Sequence, residues 1–157
     1  IGLIEGQTLL GILDGIYSRN AEKALKLVEE AYRSGHDLKL MVRNLIELLH
    51  ASMILKINAP TNSLEYSEEE QTELKRISAH RELEEIELFF QVFQNGIEWV
   101  SKSPQPRIVL EVLIIKCAMA EALVRATSAA PLSSSSTGST SSKQTPSMSR
   151  ASSATST

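Results

Sequence analysis

The chain has 157 residues, of which 22% are charged and 4% aromatic, and a formal net charge of −3. All 19 acidic residues but only 14 of the 16 basic ones precede Thr127, so that part sits near −5 and lacks the basic face that nucleic-acid binding requires. A single cysteine, Cys117, excludes an intrachain disulfide and a cysteine-based metal site.

No signal-peptide pattern is present. Glu111 and Lys116 interrupt the most apolar run before it reaches the ~18 residues a membrane span would need, so no membrane association is expected. The chain opens on Ile1 rather than Met, which we read as a fragment of something longer, in a cytosolic setting.

Ile1 to Gly6 is short, apolar and Gly-rich and reads as the remnant of a preceding element, covering residues 1–7. Thr8 then caps a first helix with Leu9, Ile12, Leu13 and Ile16 on its face, ending near Ser18. Asn20 is the N-cap of a second helix, Ala21 to Ser34, in which Ala24, Leu25, Val28, Ala31 and Tyr32 recur at helical spacing. Gly35 is its left-handed stop, and Asp37 caps the next helix. That third helix, Leu38 to about Lys56, carries Leu38, Met41, Leu45, Leu48 and Leu55 on one seam. Val42, Ile46, Leu49 and Met53 form a second seam, and Lys39, Arg43, Glu47 and His50 a polar stripe.

A loop from Ile57 to Tyr66 leads to Ser67 and Glu70, which make a capping box for a short peripheral helix anchored by Leu74 and Ile77. Arg81 to Val100 is a stronger helix, with Leu83, Ile86, Phe90, Phe93, Ile97 and Val100 alternating at three and four. SKSPQP breaks the chain before the last helix, Pro106 to Arg125. Beyond Ala126 the sequence is Ser/Thr-rich with few large apolar residues. It cannot offset the entropy of ordering, so residues 127–157 are expected to form a disordered linker or tail. The reading is an all-α, compact bundle of about five to six helices spanning residues 1–126.

The Pro106 helix is nearly apolar all round. At about 100° per residue it sets Leu110, Leu113, Cys117, Ala120 and Val124 on one seam and Val112, Lys116, Met119 and Leu123 on another. Its β-branched residues also suit a buried strand. The length of the run without Gly, and Pro106 at the first turn, favour the helix. A helix needs an apolar stripe only somewhat over ~100° wide to meet its own core, so one seam is spare. Val112, Lys116, Met119 and Leu123 are therefore the candidate subunit interface. Lys116 either lays its stem on that seam with its ammonium in water, or reaches an acidic group on a neighbouring subunit.

Signs of chemistry are sparse. His36, His50 and His80 have no ligand spacing, and each reads as a surface or helix-end histidine. The acidic runs Glu68 to Glu70 and Glu82 to Glu87 belong to first helical turns. No phosphate loop and no nucleophile motif occurs, so this segment is expected to hold no catalytic site, metal or cofactor.

The stretch ILDGIYSRNAEKALKLVEEAYRSGHDLKLMVRNLIELLHASMILK resembles the start of the third domain of the gamma/tau subunits of bacterial DNA polymerase III. That domain has a Gly-hydrophobe-Asp turn, here Gly35, His36 and Asp37, leading into a Leu-rich helix. SPQPRIVLEVLIIKCAMA is similar to the family's closing helix, with Pro106, Arg107, Leu110, Glu111 and Lys116 at the matching places. His36 departs from the small apolar residue usual there, and Lys116 from the common Arg. The resemblance spans about Leu9 to Ala126. It implies a collar domain through which clamp-loader subunits, copies of this chain and others, join during DNA replication. It also implies ATP and Mg in preceding ATPase domains that this sequence does not contain. Two other readings stay open: a stand-alone α-helical adaptor for an unlike protein partner, and a helical bundle that lines a small-ligand cavity with its spare seam.

Overall fold

A computed structural model describes residues 3–60 and 64–120, with side chains from Gly6 onward. Among the described residues six helices follow one another: α1 Leu3–Tyr17, α2 Ala21–Arg33, α3 Leu38–Lys56, α4 Glu68–Ser78, α5 Leu83–Lys102 and α6 Pro106–Ala118. The described residues contain no strand, so the fold is all-α.

Local chemistry sets most helix ends. The Lys23 amide donates to Asn20 Oδ1 at 3.0 Å to open α2. Gly35, at φ +79°, closes it, with its own amide on the Tyr32 carbonyl and the His36 amide on the Ala31 carbonyl. Asp37 Oδ1 then accepts from the Lys39 and Leu40 amides at 2.8 and 3.4 Å to start α3. Asn58, at φ 52°, ends α3 by the same left-handed device as Gly35. At α4 the capping box is reciprocal: the Glu70 amide donates to Ser67 Oγ at 3.2 Å and the Ser67 amide to Glu70 Oε2 at 2.9 Å.

α3 is the central element, packed against α1, α4, α5 and α6, while α1 pairs with α2 and α5 with α6. Its first seam, Leu38, Met41, Leu45, Leu48 and Leu55, is wholly buried. Of the second seam, Val42 and Leu49 are buried, and Ile46 and Met53 lie half-buried against the core. The polar stripe Lys39, Arg43, Glu47 and His50 is exposed.

The structure corrects the sequence reading in two places. α1 starts at Leu3, so Thr8 lies inside the helix rather than at its cap, and Leu3 to Gln7 belong to α1 instead of a preceding element. Further along α1, Gly11 and Gly15 are points of close approach to α2. A Cβ on Gly15 would stand 2.9 Å from the Ala24 Cβ, and one on Gly11 2.8 Å from a Leu27 methyl. Packing of α2 here outweighs the roughly 1 kcal/mol helix penalty of glycine.

In α5, Phe89 is the fully buried aromatic and Phe90 only lines the core. Either residue satisfies the spacing from Ile86 to Phe93. Phe89 is the one that meets Tyr17, with ring centroids 6.1 Å apart.

The described part of α6 is Pro106–Ala118 with Met119 as its C-cap, and the stretch expected to carry the helix on to Arg125 lies outside the described residues from position 121 onward. Leu123 and the expected tail, residues 127–157, lie outside the described residues.

Candidate docking surface

α6 divides its apolar residues between two surfaces. Leu110, Leu113, Ile114, Cys117 and Ala118 are buried against the bundle. Burial pushes the Cys117 thiol up to about 12, which fits the inert core residue its seam predicted. On the outer side, Ile108 is 51% exposed, Val112 45%, Ile115 37% and Met119 61%. Their spacing of four, three and four keeps them within a stripe about 60° wide, one continuous ridge. Leaving such side chains half in water forgoes about 1 kcal/mol each relative to full burial.

Both edges of the ridge carry a cation on an aromatic ring. On one, the Lys116 ammonium lies 5.9 Å from the centroid of Trp99, which projects from α5 and is 59% exposed. On the other, the Arg107 guanidinium lies 5.5 Å from the centroid of Tyr32 on α2, while its Nε donates to Glu111 Oε1 at 2.7 Å. Tyr32, Trp99 and the four ridge residues account for six of the eight large hydrophobic side chains exposed among the described residues; Leu40 and Ile57, both on or next to α3, are the others. The uncovered apolar surface is therefore concentrated on one side of the bundle.

The sequence placed Val112, Lys116, Met119 and Leu123 on this seam. Val112 and Met119 lie on the ridge, and Lys116 is exposed at its edge, its ammonium over an aromatic ring. Leu123 is outside the described residues. Ile108 and Ile115 were missed, though their separation of seven is itself a signal for a shared face. Trp99 and Tyr32 could not be found that way, because they reach the ridge from other helices.

A polar groove of ≈ 600 Å³ runs between α1 and α4, lined by Asp14, Lys23, Glu70, Glu73 and Arg76 among others. Both of its cations are paired within it. Lys23 pairs with Asp14 and Arg76 with Glu73, whose carboxyl the arginine's hydrogen bond holds below the usual range, while Glu70 is engaged in the α4 cap. Among the described residues no group of His, Cys, Asp and Glu could hold a metal ion. His36 is a helix-end residue, its Nδ1 3.0 Å from the Ala31 carbonyl, and His50 and His80 are exposed. No described helix is long and apolar enough to cross a membrane.

Fold and surface together define a small all-α module with an uncovered apolar face on its last described helix. The model of the family described as DNA polymerase III subunits gamma and tau domain III matches residues 1–131, and the chain belongs to that family. A search of curated proteins returns no match.

Proposed function

We propose that this chain is the oligomerisation domain of a gamma/tau-like subunit, holding a sliding-clamp loader together in the cytoplasm during DNA replication. Family membership supports the setting. The observation that carries the role is the ridge Ile108, Val112, Ile115 and Met119, uncovered on a helix whose opposite side is core. In this reading the ridge docks on a neighbouring subunit, a copy of this chain or another clamp-loader component. A contact of about 800 Å² per partner is ordinary for such an assembly. ATP binding and Mg belong to ATPase domains elsewhere in the parent subunit, and this domain contributes no catalytic group of its own.

Sedimentation at several concentrations, alone and mixed with other clamp-loader subunits, tests the proposal. The wild-type chain should gain mass, and Met119→Glu should lower that gain while far-UV dichroism stays unchanged. A chain that stays monomeric at high concentration and gains no mass in any mixture overturns the reading. Loss of helix in Met119→Glu would make Met119 a core residue and overturn the ridge as the contact.

A further inference from the structure

We draw no further inference here: the strongest candidate, the exposed apolar face of α6 beside Trp99, belongs to the surface already described, and nothing in the structure shows what covers it.

Discussion

Gly96 and Leu113 pack so closely that a Cβ on Gly96 would stand 2.5 Å from one Leu113 methyl and 2.6 Å from the other. This contact is where α5 and α6 approach each other, and it turns the Leu110, Leu113 and Cys117 seam inward. With that side committed to the core, Ile108, Val112, Ile115 and Met119 are left outside. The uncovered ridge is thus a consequence of a helix crossing.

Gly96→Ala is expected to lower stability by about 1 kcal/mol, because overpacking of about 1–3 kcal/mol outweighs about 1 kcal/mol gained in helix propensity. Urea unfolding measures it. In a Leu113→Ala background, itself costing about 2–5 kcal/mol, the same change should become stabilising, since the clashing methyls are gone. An unchanged cost in both backgrounds would disprove the contact.

Tyr17 is 2% exposed and its hydroxyl has no hydrogen-bond partner among the protein atoms. Ser52, which lies near enough to favour the phenolate slightly, donates its own proton to the Leu48 carbonyl at 2.9 Å. Burial holds the phenol well above its ordinary value. Tyr17→Phe should therefore raise stability by about 1 kcal/mol, because it removes a buried polar group that gains nothing in return. A higher urea midpoint at unchanged slope is the expected result.

Tyr66 sets an alkaline limit. Burial first, and then the charges of Glu47, Glu70 and Glu65, push its phenol up to about 12. The folded state holds this proton where the unfolded chain, with an ordinary value of 10.0, has released it. Stability from Tyr66 is complete below pH 10 and is lost as pH rises toward 12. Thermal melts across that window should fall for the wild type and fall less for Tyr66→Phe.

Glu85 ties the end of α1 to the start of α5. Its Oε1 accepts from Arg19 at 2.8 Å and Arg81 at 3.2 Å, its Oε2 from the Glu82 amide at 3.2 Å, and Arg81 Nε donates to the Tyr17 carbonyl at 2.6 Å. The pair also steadies Arg19, which sits at φ 60° without being a glycine. Glu85→Gln is expected to cost about 1 kcal/mol, since these groups keep some contact with water. The loss should shrink in high salt, as urea unfolding at two ionic strengths would reveal.

The sequence alone determined the order of the helices and, α1 apart, most of their local punctuation. Asn20, Gly35, Asp37 and the Ser67–Glu70 box act on amides within a few residues, so their effect is written in adjacent letters. It also determined that α6 carries more apolar girth than one contact uses, and that Cys117 belongs inside. Tertiary structure alone decided which seam of α6 faces the bundle, that Phe89 rather than Phe90 meets Tyr17, and that Trp99 and Tyr32 join the ridge. The physical reason is the same for each. Periodicity fixes which residues share a face of one helix, whereas the partner of that face is chosen by close packing between helices far apart in the chain, as at Gly15 with Ala24 and Gly96 with Leu113.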